Sequence, residues 1–316
     1  MNFIVHVHMH HSGGNGGTTA EFELARKISN NGYPVKVYHP YGHIHTGIFD
    51  NYAELSDVND ETIAIYCHVV HDNPLNAKQI VRWVIYGVNA RDYNRYAENE
   101  IVYYHVPFCK NNRSSQLLYI TSLSDRVKNR NEIRNVKVCY AIKKGCEYPK
   151  NHQRRATGTF PHSYLVSEWA PKLKFLNIPM NSNICVEIDG FFCTHDQCVD
   201  LFNRSKYFFC YDPCSFLVIM ALLCGCIVVQ DPIDGYTEED WMHACGIPTR
   251  LKGLAYGLEN LQYAEQTIQD AAGPIQDILN KSDDSVKRFL HDMETKSYNT
   301  DKCYRYEESP FSIIRA

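Results

Sequence analysis

Three kinds of cluster in this chain could do chemistry: a strand-end turn with a carboxylate, a glycine-rich loop, and histidines at strand ends. The turn lies inside KYFFCYDPCSFLVIMALLCGCIVV, Lys206 to Val229. Tyr207 to Cys210 reads as a short buried strand and Tyr211-Asp212-Pro213 as a turn. An apolar helix from about Ser215 to Leu223 follows, then a Gly225 break and a second strand, Cys226 to Val229. That order makes a βαβ unit. Its turn leaves free backbone N–H groups at the carboxyl end of a strand, where open parallel sheets take phosphate-bearing ligands. Asp212 or Ser215 suits the helix N-cap, and Pro213 suits the first turn. The same unit serves equally as plain framework in any α/β protein.

The glycine loop, Gly13-Gly14-Asn15-Gly16-Gly17, falls between a first strand and a first helix, where the lack of Cβ atoms lets backbone approach a ligand. Its spacing is not GxGxxG. No acidic residue ends the strand Val35 to Tyr38, so the dinucleotide fingerprint is incomplete. His6, His8 and His10 alternate along the first strand and share a face. The outer two are ~13 Å apart at strand rise, too far to share one metal. His10 and His11 fall at the strand's carboxyl end, where either suits a general base. A third cluster, Cys67-His68-Val69-Val70-His71-Asp72-Asn73-Pro74, ends another strand. His68, His71 or Asp72 there suits deprotonation of a hydroxyl; Asp72 or Asn73 equally suits the N-cap of a Pro-initiated helix. Lys143-Lys144-Gly145 is a basic loop after a strand, and Glu187-Ile188-Asp189-Gly190 ends one more.

The wording of these clusters resembles GT-B glycosyltransferases. Their sugar-nucleotide segment runs (Asp/Glu)-Pro-x-(Ser/Thr/Gly)-x4-Glu-Ala-x3-Gly-(Cys/Thr)-x-Val-Val; Asp212, Pro213, Ser215, Ala221, Gly225, Cys226, Val228 and Val229 fit it. Met220 departs, standing where many retaining members carry the Glu that holds the donor ribose. Gly32-Tyr33-Pro34-Val35-Lys36-Val37 resembles the family's Gly-(His/Tyr)-x-Val-x-Val. A bacterial subgroup has counterparts of Ile65-Tyr66, Asn73-Pro74-Leu75, Val81-Arg82-Trp83, Glu238-Glu239, Trp241 and Gly253-Leu254-Ala255-Tyr256-Gly257, with Cys67-His68 replacing its Pro-Glu. The resemblance implies a metal-independent transferase with no cofactor. Its donor, UDP- or GDP-linked, would be bound by Gly13, Gly14, Asn15, Gly16, Lys143, Lys144, Glu187, Asp212, Pro213, Cys214, Ser215 and Phe216. His11, His68 or Asp72 is the implied base toward a glycan or other hydroxyl acceptor. Cations and helix N-termini would neutralise the departing diphosphate.

The chain has 316 residues, enough for two domains; it is 44% hydrophobic and 22% charged, ordinary for a globular protein. A net charge of −4 argues against a nucleic-acid partner bound through a broad basic surface. Thirteen scattered cysteines with no CxxC pair read as free thiols of a reducing, cytoplasmic compartment, with no metal site. The start has no signal-peptide pattern, and the longest apolar run is too short to span a bilayer.

Strands are expected at Phe3 to His10, Val35 to Tyr38, Thr62 to Val70, Ile101 to His105, Leu117 to Ile120, Val136 to Ile142 and Ile184 to Ile188. Helices are expected at Ala20 to Asn30, Asn76 to Val88, near Ser167 to Leu176, near Asp196 to Asn203, and over most of Ala255 to Leu279; the polar stretch from Lys281 is expected to end in a helix or a tail. The recurring βα pattern predicts an α/β protein of two Rossmann-like doubly wound domains facing across a cleft. The basic, Asn-rich stretch near 125–135 sets the boundaries: 1–132, an acceptor domain; 133–295, a nucleotide-sugar domain; 296–316, a tail able to cross back to the acceptor domain. The expected function is transfer of a hexosyl or pentosyl group in glycan biosynthesis. The alternatives are a degenerate domain that binds without turnover and a GT-B-fold sugar-nucleotide epimerase.

Overall fold

A computed structural model describes residues 1–7, 16–40, 42, 47–70, 72–85, 100–109, 116–121, 123, 126–141, 185–188, 195–212, 214–233 and 235–295. The chain divides into two units. The first takes in Met1–Ser122, His243–Pro248 and the described residues from Gln276 on; the second takes in Leu123–Met242 and Thr249–Ile275. Residues from Gln276, assigned above to the second domain, thus belong to the first unit.

The first unit is built on strands β1 (Asn2–His6), β2 (Val35–Tyr38), β3 (Thr62–Cys67), β4 (Gln79–Val84), β5 (Ile101–Tyr104) and β6 (Gln116–Leu117). They form one six-stranded sheet in the order β2-β1-β3-β4-β5-β6, with every pairing parallel. Alternate side chains serve opposite faces, as the two-residue strand period requires. Phe3, Val5, Ile63, Ile65, Val81 and Trp83 meet Phe22, Ala25 and Ile28 of helix α1 (Gly16–Asn30). Ile4, Ala64 and Tyr66 point the other way, toward Ala53, Leu75 and Ala77.

Gln79–Val84 is a strand where a helix was expected over 76–88. Asn76 adopts φ 50°, which breaks any helical run before it starts. The strand is apolar apart from Gln79 and Arg82, as an inner parallel strand must be.

The second unit has strands β7 (Val136–Ala141), β8 (Cys185–Ile188), β9 (Ser205–Cys210), β10 (Ile227–Gln230) and β11 (Leu254–Tyr256), and helices α2 (His195–Arg204), α3 (Leu217–Leu223), α4 (Glu238–Ala244) and α5 (Leu261–Thr267). The five strands run parallel in the order β11-β10-β9-β7-β8. On one face Phe202 of α2 packs edge-on against Phe208, ring centroids 5.0 Å apart. On the other, Leu261 and Ala264 of α5 cover Tyr207, Phe209, Val229 and Ala255. Helices on both faces make the sheet doubly wound. The helix expected near 167–176 lies outside the described residues.

The basic stretch near 126–135 is fastened to the second unit. Arg126 and Arg130 pair with Asp196 and Asp200 of α2. Arg134 spans farther. Its guanidinium donates to the carbonyls of Phe202 (3.0 Å), Cys224 (2.8 Å) and Ser205. One cation thereby serves carbonyls at the ends of both α2 and α3, where partial negative charge gathers. Gly225 follows α3 at φ +75°; a Cβ there would lie 2.6 Å from Asn129 Nδ2 and 2.7 Å from Arg134 Nη2.

Helix α6 (Ala272–Thr295) continues past Leu279 through the polar stretch for which a helix or a tail was expected. Val286, Phe289, Leu290 and Met293 fall at helical spacing and enter the core of the first unit. Phe289 packs on Phe3 and Tyr103, with centroids 5.9 and 5.2 Å away. Ser285 Oγ accepts from Tyr119 N–H at 2.8 Å and Ser282 Oγ from Thr121 N–H at 3.1 Å. The helix thus satisfies backbone groups of the segment after β6, where sheet pairing has ended.

Beside this helix, His105 stacks on Tyr119 at 5.3 Å and meets Trp83 edge-on at 5.6 Å. Burial lowers its pKa from 6.5 to about 4, against a smaller opposing effect of the Leu118 backbone. The unfolded chain takes up this proton near pH 6.5, whereas the folded chain refuses it until about pH 4. Stability should therefore fall as pH drops through that window, with no contribution from His105 above it. The expected loss is on the order of 2 kcal/mol, discounted because the residue keeps some contact with solvent. Urea unfolding at pH 7.0 and 4.5 (assay conditions) should show this dependence, and His105→Phe should flatten it.

Candidate functional site

Each sheet has one place where successive connections leave in opposite directions along the strand order. In the second unit β7, first in sequence, lies between β8 and β9, so the change falls between β7 and β9. In the first unit β1 lies between β2 and β3, so the change falls between β1 and β3. At such points the loops beyond the strand carboxyl ends separate and leave a crevice for ligand.

The Asp212 turn follows β9 at the switch point of the second unit. Asp212 Oδ1 accepts from Cys214 N–H at 3.1 Å, and Ser215 Oγ accepts from Leu217 N–H at 3.3 Å. These are local side-chain turns. They do not cap α3, as expected above: the helix begins at Leu217, and its N-cap, Phe216, makes no side-chain cap. Because each oxygen bonds two residues ahead, the helix starts beyond Ser215. Cys214, Ser215 and Phe216 are half-buried, whereas Asp212 is buried. Pro213, Lys143 and Lys144 lie outside the described residues. Glu187 lies on β8, beside β7. Met220 is 0% exposed, so this position does not offer a contact to a ribose.

Gln230, at the end of β10, was not singled out above. Its Nε2 donates to the carbonyls of Asp212 and Asp231, both at 3.2 Å, and Cys210 Sγ also donates to the Asp212 carbonyl at 3.3 Å. Tyr256 ends β11 and holds the next loop: its hydroxyl accepts from Ile233 N–H at 2.8 Å and donates to the Tyr236 carbonyl at 3.1 Å. Gln230 thus ties the Asp212 turn to β10, and Tyr256 ties the loop after β10 to β11. Burial pushes the Cys210 thiol well up, and the Cys67 thiol likewise, so both stay protonated. The described cysteines are all free.

At the first unit's switch point, β1 ends at His6 and β3 at Cys67. His6 is a core histidine packed between Tyr38 and Tyr66, with ring centroids 5.5 and 5.4 Å away. Gly16 opens α1, while His11, Gly13, Gly14 and Asn15 lie outside the described residues. His68 is buried. Its Nδ1 accepts from Ile85 N–H at 3.3 Å and lies 3.2 Å from Cys67 Sγ. An imidazole accepting at Nδ1 carries its neutral-state proton on Nε2. Asp72 is exposed.

The helix-capping alternative for Asp72 and Asn73 fails, because no helix follows. Asn73 Oδ1 instead accepts from Tyr66 Oη at 2.8 Å and from Ala77 N–H at 3.1 Å. Arg82, on β4, was read only as part of a motif. Its buried guanidinium bonds Glu100 through two nitrogens, at 2.6 and 3.1 Å. It also donates to the carbonyls of Val70 and, at 2.8 Å, Asp72. No local sequence signal joins Arg82 to Glu100, eighteen residues on.

Among solved structures the chain is similar to OtsA trehalose-6-phosphate synthase at TM-score 0.52 and 8% identity, covering 93% of this chain and 99% of that one. The chain has the GT-B fold. Other matches include an alpha-glucosyltransferase in complex with UDP and mismatched DNA (TM-score 0.48, 12% identity, 92% and 95% covered) and a glycosyltransferase from Rickettsia africae (TM-score 0.44, 10% identity, 99% and 98% covered). No protein-family model and no curated protein sequence matches it.

GT-B structures described in complex with DNA overturn the exclusion of nucleic acid made above from net charge. A whole-chain charge sums over every surface and reports none of them. Among the described residues, no helix is long and apolar enough to cross a membrane, and no group of three His, Cys, Asp or Glu side chains could hold a metal.

Proposed function

We propose that this GT-B protein is a glycosyltransferase, moving a sugar from a nucleotide-sugar to a hydroxyl acceptor. One observation carries the reading: two all-parallel sheets share one switched strand order, and each bears a candidate cluster at its switch edge. The donor cluster is the Asp212–Phe216 turn with Gln230 behind it, and Lys143, Lys144 and Glu187 are proposed to act with it. The acceptor cluster is the loop after β3, with Gly13–Gly16 after β1.

Asp72 is the proposed base. Its carboxylate is exposed, whereas Ile85 N–H occupies Nδ1 of His68 and leaves that ring a donor at Nε2. Asp72 takes the acceptor proton as the hydroxyl oxygen bonds the anomeric carbon and the nucleoside diphosphate departs with its bonding pair. Lys143 and Lys144 neutralise the leaving group without metal assistance.

The test is thermal stability with UDP, GDP, UDP-glucose and GDP-mannose, with and without EDTA. A ligand at a hundredfold excess over Kd adds about 2.7 kcal/mol of stability. One nucleotide should stabilise the protein, EDTA should not reverse it, and Asp212→Ala should abolish it by releasing the Cys214 amide. Absence of any shift sinks the donor assignment. Transfer is then assayed against glucose, maltose, lactose and duplex DNA carrying hydroxymethylated bases. Binding without turnover would favour the degenerate alternative; donor consumption without an acceptor would favour the epimerase.

A further inference from the structure

We infer that Arg82 is a positioning residue for the loop that carries His68 and Asp72, an inference resting on the reading of that loop as the acceptor side. Arg82 is 0% exposed. A buried ion pair stabilises a fold little better than apolar side chains of the same volume would. What Arg82 adds is geometry. Its fork meets both oxygens of Glu100, which fixes the plane of the guanidinium. The donors that remain reach the Val70 and Asp72 carbonyls. Two loop peptides, one on each side of position 71, are therefore turned inward to one rigid plane.

The same guanidinium lies over the Tyr66 ring, 4.7 Å from its centroid. Tyr66 Oη in turn holds Asn73 Oδ1 at 2.8 Å and Leu75 N–H at 3.1 Å. The loop is thus tied at both ends to one buried cation. With its carbonyl held inward, Asp72 presents its carboxylate to solvent from a fixed backbone. A lysine supplies the charge but not the fork, and cannot hold two carbonyls and a bidentate carboxylate together.

The test compares Arg82→Lys and Glu100→Gln with the wild-type full chain. Amide hydrogen exchange at Val69, Val70, Leu75 and Ala77 should speed up at least about tenfold in Arg82→Lys, while β1 and α6 keep their protection. Stabilisation by UDP should be unchanged. With UDP-glucose and whichever saccharide of the panel accepts, kcat should fall about 100-fold while the donor KM holds. Glu100→Gln leaves the guanidinium one acceptor oxygen and sets an amide NH2 against its other nitrogen, so loop protection and rate should fall in the same direction as in Arg82→Lys. Unchanged loop exchange in Arg82→Lys overturns the inference. So does loss of protection throughout the first unit, which would make Arg82 scaffold only. If the wild type transfers to no acceptor, the proposed function fails by itself, and loop exchange still decides the role of Arg82.

Discussion

Replacing Asp72 with Asn is expected to lower kcat by about 100- to 10,000-fold, the range a positioned general base contributes. Asn has nearly the same shape but cannot take the acceptor proton at neutral pH. The side chain is exposed, and only the Asp72 carbonyl is bonded to Arg82. Stability should therefore change by no more than about 0.5 kcal/mol. UDP should stabilise the variant as it does the wild type, since the donor turn lies in the other unit. Steady-state rates and thermal shifts on the same preparation separate the two quantities. A variant within threefold of wild-type kcat (our threshold) would remove Asp72 as the base.

Replacing Arg134 with Met should destabilise the second unit by about 3 kcal/mol. The substitution keeps much of the aliphatic stem and removes three charge-assisted bonds to Phe202, Ser205 and Cys224 carbonyls. Each such bond contributes about 1.5–3 kcal/mol, and the half-buried site lets water recover part of it. Two helix ends lose their counter-charge together. Calorimetry should show an earlier-melting transition while His105-linked pH dependence in the first unit stays as in the wild type. An unshifted melting profile would mean that solvent substitutes fully for the guanidinium.

The parallel sheets were legible because their strands are near-continuous apolar runs, such as Val136–Ala141 and Ser205–Cys210. The same rule explains the error at 79–84, where Gln79 and Arg82 interrupt the run. Arg82 is tolerated only because Glu100, distant in sequence, neutralises it. The Asp212 turn was legible from its residue types, but its bonds were not. A two-residue side-chain turn and a helix cap use the same residues, and φ/ψ values decide between them. Helix α6 carried a readable signal. Val286, Phe289, Leu290 and Met293 keep helical spacing, but the charges at Lys281, Asp283, Asp284, Lys287 and Arg288 left helix and tail both open. Gln230 had no signal at all, because its work is done by one amide across a sheet edge.

The placement of α6 has a consequence for synthesis. A ribosome releases the six strands of the first unit well before residues 282–293 exist. Until then Phe3 and Tyr103 lack the Phe289 ring that packs between them, and the amides of Tyr119 and Thr121 lack their serine partners. The second unit has every strand of its sheet in hand by residue 256. Although its sequence comes first, the first unit is completed last, against the usual N-to-C order of domain folding. Nascent chains stalled before residue 282 should expose an apolar groove on the first sheet, the surface a chaperone would hold.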